Sequence, residues 1–547
     1  MATLALDQAP SAEQPRSPRF DYKTHPLAKF LFAAILVGGL AFAGWSVLTD
    51  TRGVGEQLAM GVFAFLGLAL LIALGFEFVN GFHDTANAVA TVIYTNSMPA
   101  HLAVVWSGFF NFLGVMFSSG AVAYSIITLL PVDLILNVGS SAGFAMIFAL
   151  LVAAVLWNLG TWYVGLPNSS SHTLIGSVLG VGLANQLIQA GSRGGTAGVD
   201  WSQAQKVLTG LWMAPLIGFG AALLLLLAMR LLVNRPELYK APEGEKAPPH
   251  GIRALLIFTC TAVSFSHGSN DGQKGMGLIM LILIGCAPTA YALNRTIPAS
   301  STPAYVQAAN VATAAFETKA DKAVSAMPVA QARATLTTAL QDRKAEKAVV
   351  FSALGVLSRD LTARVESFGS LSAVPAEATS NVRNDMYLVL DTIRLATKKP
   401  GTFDATQTAA IKTYQEGLEA GTRYIPLWVK IVVAIALGLG TMIGWKRIVI
   451  TVGERIGKQH LTYGMGASAE LVAAGTILAA DRFGLPVSTT HILSSGVAGA
   501  SVANGAGVQT RTIMQLAAAW LLTLPAAMLL SGGLYWLMLM VTRTLGL

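Results

Sequence analysis

Apolar residues in this chain gather in runs long enough to cross a bilayer, near 29–48, 58–79, 101–129, 141–164, 205–233, 252–286, 426–444 and 512–541. A helical span needs about 20 predominantly apolar residues. The pattern therefore predicts an all-α polytopic membrane protein. Four short polar islands interrupt it. Two read Glu77-Phe-Val-Asn-Gly-Phe-His-Asp-Thr-Ala-Asn-Ala88 and Ser266-His-Gly-Ser-Asn-Asp-Gly-Gln-Lys-Gly275. The other two read Gly-Leu-Pro-Asn-Ser-Ser-Ser-His at 165–172 and Gly-Leu-Pro-Val-Ser-Thr-Thr-His at 484–491.

The islands come in pairs. Laid over each other, 165–180 and 484–499 agree at seven positions, Gly165/Gly484, Leu166/Leu485, Pro167/Pro486, Ser169/Ser488, His172/His491, Val178/Val497 and Gly180/Gly499. Pairing Asp84 with Asp271 matches Gly81 with Gly268, sets Asn270 against His83, and sets Lys274 against Asn87. Spacing gives an independent check. His172 follows Asp84 by 88 residues, and His491 follows Asp271 by 220, a surplus of 132. The long non-apolar segment 291–424 has 134 residues. The second half is thus the first half with one insertion.

This organisation divides the chain into a polar tail (1–28), an N-terminal helix with the first repeat (29–250), the start of the second repeat (251–290), a soluble helical insertion (291–424) and the remainder of the second repeat (425–547). Helical periodicity within the insertion is clearest at 331–367 and 381–419. The run at 29–48 carries Ala41-Phe42-Ala43, which resembles a signal cleavage site, but its leading region is too long, and a retained helix is expected.

Composition agrees with the pattern. The chain is 54% hydrophobic and 12% charged, with mean hydropathy +0.59, about half the charge of soluble domains. The net charge of +8 reflects basic loops that would face the cytoplasm, so it does not argue for nucleic acid. Arg16, Arg19, Lys23 and Lys29 place the N-terminus inside, and the basic loops 230–253 and 445–458 fall on the same side. The insertion is then expected outside. Cys260 and Cys286, both in apolar sequence, offer neither a disulfide framework nor metal spacing. No cofactor is implied.

The islands carry the chemistry. Gly and Pro end one helix, and the hydroxyl run stands where the next begins, with backbone N–H groups unpaired. Such a start is an anion site. Ordinary capping would explain one copy, but two matching copies inside apolar sequence point to Ser169, Ser170, Ser171, Ser488, Thr489 and Thr490 as anion ligands. Each following segment would place a polar helix start at the membrane surface if it crossed completely. Re-entrant hairpins with buried tips fit better. Glu77, Asn80, His83, Asp84 and Asn87 are polar groups in an apolar setting, with Asn80, Asp84 and Asn87 on one helix face. Ionisable groups at membrane depth usually line a pathway.

These four motifs resemble the inorganic phosphate transporter (PiT) family, in particular its bacterial low-affinity members, over nearly the whole chain. The resemblance implies two inverted-topology repeats with broken helices and two re-entrant hairpins, a homodimer in the lipid bilayer of the bacterial inner membrane, and cation-coupled uptake of inorganic phosphate. It implies that the hydroxyl tips hold phosphate and that the cation is coupled through Asp84, Asn87, Asp271 and Asn270, with Glu77, His83 and Lys274 beside them. Two positions depart from the family pattern. His83 stands where Asn is common, and Lys274 replaces the second copy's Asn. A tethered ammonium in place of one cation favours proton over sodium coupling, with phosphate carried free or as a complex of Mg2+ or another divalent metal, as in the bacterial relatives. Alternatives from the residues alone are a carrier for sulfate or arsenate, a channel, and a membrane-embedded hydrolase using Ser, His and Asp. Phosphate near neutral pH still has protons to donate and sulfate has none, which favours phosphate beside Asp84, Asp271 and Glu77. Against the hydrolase, each His follows its hydroxyl run directly and should diverge from it around the helix.

Overall fold

The computed structural model describes residue 20 and residues 25–193, 199–242, 244, 246–321, 327–398 and 401–545, without the side chains of 85–87, 133, 189–193 and 545. Arg16, Arg19 and Lys23 of the tail lie outside the described residues. The order is α1 (Pro26–Gly53), α2 (Met60–Tyr94), α3 (Ala100–Phe117), α4 (Ala121–Ile127), α5 (Val132–Leu136), α6 (Ser141–Tyr163), α7 (Ser170–Arg193), α8 (Trp201–Leu232), α9 (His250–Cys286) and α10 (Pro288–Tyr291). There follow α11 (Thr302–Glu317), α12 (Val329–Gln341), α13 (Ala348–Phe368), α14 (Ala376–Ala396) and α15 (Ala405–Thr422) within 291–424. The chain closes with α16 (Leu427–Thr441), α17 (Lys446–Ile450), α18 (Tyr463–Arg482), α19 (Thr489–Ala503) and α20 (Thr510–Leu545).

Among the described residues six helices are long and apolar enough to cross a membrane, α1, α2, α3, α6, α8 and α20, or seven if α15 and α16, bent by 67°, count as one. Two apolar runs of the sequence are shorter as helices than they read. The run 101–129 breaks after Phe117, where Ser118 Oγ turns back to donate to Val115 O and Gly120 takes φ 86°. The run 426–444 holds the 15-residue α16. The run 252–286 is one 37-residue helix, α9, whose polar island keeps it out of the apolar set.

Close packing at glycine pairs the sequence repeats. A Cβ on Gly81 would stand 2.3 Å from Leu437 O, and one on Gly268 would stand 2.1 Å from Asn111 O. So α16 presses onto α2 as α3 presses onto α9. Phe78 O and Phe265 O, at matching positions, each lie 2.1 Å from the Cβ that Gly440 or Gly114 would carry. The same holds for the helices that follow the hydroxyl runs. Gly180 meets Met528 O and Gly499 meets Phe219 O, both at 2.1 Å, so α7 lies along α20 and α19 along α8. Small residues permit such close approach between membrane helices.

The two ends of the bundle differ. At one end Arg253 Nε donates to Ser97 O (2.8 Å), Asn96 Nδ2 to Gly244 O (3.0 Å) and Asn504 Nδ2 to Tyr239 O (3.3 Å), and Tyr94 OH donates to Glu454 (2.7 Å). The basic loops 230–253 and 445–458 therefore sit together. At the other end Asp50 accepts from Tyr291 OH (2.8 Å) and Trp428 Nε1 (3.0 Å), next to the insertion. Buried Phe316, Leu354, Leu357, Val389 and Tyr414 give the insertion apolar packing of its own. Buried Arg383 and its neighbour Asn384 fix it to the bundle, donating to Ile135 O (2.9 Å) and Leu136 O (3.2 Å).

Candidate functional site

The two Gly-Leu-Pro stretches fold alike because their chemistry is alike. Gly165 (φ 71°) and Gly484 (φ 64°) end α6 and α18 in the left-handed region that favours glycine. Leu166 N donates to Thr161 O (3.0 Å) and Gly165 N to Trp162 O (2.9 Å), matched by Leu485 N to Ala480 O (2.9 Å) and Gly484 N to Asp481 O (3.0 Å). This double bond satisfies carbonyls that the helix end would leave bare. After the proline, Ser169 Oγ accepts from His172 N and Ser488 Oγ from His491 N, each at 3.1 Å. The first hydroxyl of each run is thus a helix cap. The other four, Ser170, Ser171, Thr489 and Thr490, are buried in the first turns of α7 and α19, where N–H groups lack intrahelical partners.

Those first turns meet the carboxylates of α2 and α9. Asp84 accepts from Ser170 Oγ (2.8 Å, Oδ2) and from Thr490 Oγ1 (2.5 Å, Oδ1), one hydroxyl from each tip. His83 Nδ1 lies 3.3 Å from Asp84 Oδ1, with its Nε2 3.3 Å from Thr161 Oγ1. Asp271 Oδ2 is held by Lys274 Nζ at 2.5 Å and receives a longer contact from Ser170 Oγ at 3.3 Å. Lys274, fully buried, also donates to Ser171 Oγ (2.5 Å), which in turn donates to Val487 O (2.6 Å). A chain of polar contacts thus runs from α9 through the first tip to the backbone before the second. A buried ammonium needs such partners, since stripping one away costs several kcal/mol.

The structure brings together both motifs, tips and carboxylates, in one buried cluster. Two residues stand somewhat apart, Asn270 and Glu77. Asn270 grips the second Gly-Leu-Pro stretch, donating to Leu485 O (3.1 Å) and accepting from Val487 N (3.4 Å), with no hydrogen bond to either aspartate among the described residues. Glu77 accepts from Asn80 Nδ2 (3.3 Å) and crowds Gly275, whose Cβ would fall 2.4 Å from its Oε1. Asn87 lies on α2, but its side chain is outside the described residues.

His267 is a residue that reasoning from the sequence passes over. Its Nε2 is 3.5 Å from Asp271 Oδ2 and 3.8 Å from Asp84 Oδ2, and its Nδ1 is 2.8 Å from Asn111 Oδ1. The signal is present in the chain, because the alignment that pairs Asp84 with Asp271 sets His267 against Asn80, one turn before each aspartate. Asp84, His267 and Asp271 each offer one ligand atom, all within 4.8 Å of one another, close enough to share a metal ion. Glu470 escapes notice too. It is buried on α18 and accepts from Thr259 Oγ1 at 2.5 Å, with no counterpart in the first half to draw attention to it.

One expectation needs correction. His172 does not diverge from its hydroxyl run, for its Nδ1 lies 2.9 Å from Ser169 Oγ, as i and i+3 share a helix face. No nucleophilic triad follows. Ser169 is engaged as the helix cap. Among the described residues His172 is paired with no carboxylate, and its ring stacks on His491 with centroids 4.4 Å apart.

A bundle of membrane-length helices with a buried, charged cluster between two helix starts fits a membrane transport protein. The chain belongs to the phosphate transporter family, which its residues 80–531 match. It is 44% identical over 493 residues to the low-affinity inorganic phosphate transporter PitA of Escherichia coli (strain K12), covering 86% of this chain and 97% of that one. To PitB of the same organism it is 40% identical over 504 residues, covering 88% and 99%. A solved structure of a sodium-dependent phosphate transporter aligns with TM-score 0.47 and 19% identity, covering 87% of this chain and all of that one. The family and these relatives are transporters and not enzymes, so the hydrolase reading falls.

Proposed function

We propose that this protein is a secondary active importer of inorganic phosphate in symport with protons across the bacterial inner membrane. The observation that carries the reading is Asp84, which accepts one hydroxyl from each tip, Ser170 and Thr490, at 2.8 and 2.5 Å. An anion bound between the two helix starts competes for those hydroxyls, and a proton taken up by Asp84 releases them. Phosphate and proton are then favoured together. Lys274 supports protons over sodium, because it already neutralises Asp271 at 2.5 Å and leaves Asp84 as the carboxylate free to take a mobile cation.

The fold belongs to the same proposal. Two inverted repeats, each with a re-entrant hairpin, would let the cluster face either side in turn, a common carrier architecture. The matched contacts at Gly81 and Gly268, and at Gly180 and Gly499, support that reading. Subunits pairing as a dimer would leave each cluster complete within one chain. In this reading the basic loops face the cytoplasm and the insertion lies outside.

A second reading concerns the form of the cargo. Asp84, His267 and Asp271 lie close enough to share one divalent cation, so phosphate would travel as its metal complex; the carboxylates suit Mg2+, and the imidazole suits a metal such as Zn2+ better. Purified protein in liposomes distinguishes these. Uptake of phosphate but not sulfate, driven by an imposed pH gradient and indifferent to sodium, is expected. Stimulation by Mg2+ with co-accumulation of the metal would favour the complex. Uptake driven by sodium alone would remove the proton reading, and equal sulfate uptake would remove the phosphate one.

A further inference from the structure

Away from the buried cluster, a cavity of about 1700 Å³ separates the insertion from the helices beneath it. Its lining includes Lys206 on α8, Arg482 at the end of α18, and Arg343, Arg394, Lys398 and Arg423 from the insertion. It also includes Leu485 and Val487, the stretch gripped by Asn270 and Ser171. The cavity therefore reaches the back of the second tip. It opens at the insertion's end of the bundle, opposite the basic loops.

Its charges are unevenly matched. Every lining carboxylate has a cationic partner. Asp200 lies 3.1 Å from Arg343, and Asp391 lies 3.3 Å from Arg394 and 3.4 Å from Arg423. Glu419 pairs with Arg394, and Glu416 with Lys412 at 4.0 Å. Three lining cations have no such partner among the described residues. Lys398 Nζ reaches only the neutral Ser202 Oγ (3.0 Å), while Lys206 and Arg482 form no ion pair or hydrogen bond among the described residues. All three side chains are exposed. Clefts with a surplus of one sign, walled by low-dielectric material, raise the local concentration of the opposite ion.

We infer that this cavity is an anion antechamber, in which Lys206, Lys398 and Arg482 gather inorganic oxyanion at the outer face and deliver it to the second tip. The insertion then roofs the access route and supplies part of its charge. The inference rests on the uptake reading above for its direction of flow, but its charge can be measured without transport.

The test uses the full chain with Ala479→Cys, a lining position exposed on α18, since the native Cys260 and Cys286 are buried. Rates of thiol modification are compared for a sulfonated and a quaternary-ammonium methanethiosulfonate of similar size. Faster reaction with the anionic reagent is expected, by about tenfold at low ionic strength. That preference should vanish in Lys206→Gln with Arg482→Gln and in high salt. The same pair of changes should raise the KM for phosphate uptake about three- to tenfold at low ionic strength, with kcat unchanged. A parent that transports phosphate yet shows no charge preference, or a double variant with unaltered preference and KM, overturns the antechamber and leaves the uptake reading standing. A parent that moves no phosphate defeats the uptake reading, and the antechamber with it.

Discussion

Asp84 and Asp271 occupy matching places in the two halves and live in different company. Asp84 is met by hydroxyls, one from each tip, and by the imidazole of His83. Asp271 is met by an ammonium three residues away on its own helix, with Ser170 Oγ more distant. The difference follows from single substitutions on a shared frame: Lys274 against Asn87, and His83 against Asn270. In the proposed mechanism one carboxylate keeps a fixed counter-charge, Lys274 on Asp271, and the other is left to exchange partners. On that proposal a duplicated chain would hold one mobile-charge site and one static one without altering its packing, because the glycine contacts that set helix separation are matched in both halves.

That contrast can be broken most directly at Asp84. Asp84→Asn is expected to abolish proton-driven phosphate uptake, a loss of at least about a hundredfold, since the carboxylate that receives both tips then carries no charge to titrate. Uptake surviving near the parental rate would remove Asp84 from the coupling role. Next in size is Asp271→Asn, which strands the Lys274 ammonium and should cost about 3–5 kcal/mol of stability. Combining it with Lys274→Gln removes both charges and should restore part of the folded yield and of the uptake. If both single carboxylate variants lose uptake equally and the double variant recovers nothing, the halves work alike and Lys274 is no static partner.

Smaller effects sharpen the tips. Ser170→Ala should raise the phosphate KM about ten- to a hundredfold, the range for a hydrogen bond to a charged group worth about 1.5–3 kcal/mol, and Thr490→Ala should do the same. A change in one variant alone would mean the tips contribute unequally, and unchanged KM in both would exclude them from the anion site. The smallest effect expected is on packing. Gly180→Ala and Gly499→Ala each push a methyl to 2.1 Å from a carbonyl, an overpacking worth about 1–3 kcal/mol that thermal unfolding in detergent would report. Gly533→Ala, with open space around it, serves as the neutral comparison. Indistinguishable melting of all three would contradict the close approach of α7 to α20 and of α19 to α8.

Much of this was legible in the chain itself. The apolar runs dictate helices, because a backbone in lipid must satisfy its own N–H and C=O groups. Gly165 and Gly484 dictate the breaks, because only glycine takes the left-handed turn there without strain. The repeated islands singled out Ser170, Thr490, Asp84 and Asp271, since polar groups at such depth need partners. Tertiary structure alone decided which partner each found. That Ser170 reaches Asp84 across 86 residues and Thr490 across 406 depends on how the two halves cross, and periodicity within one helix says nothing about crossing. The contacts of His267, drawn to both aspartates, and of Asn270, turned to the backbone of the second Gly-Leu-Pro stretch, were set in the same way. A residue's face on its own helix follows from its place in the chain, and the neighbour that face meets is set by packing.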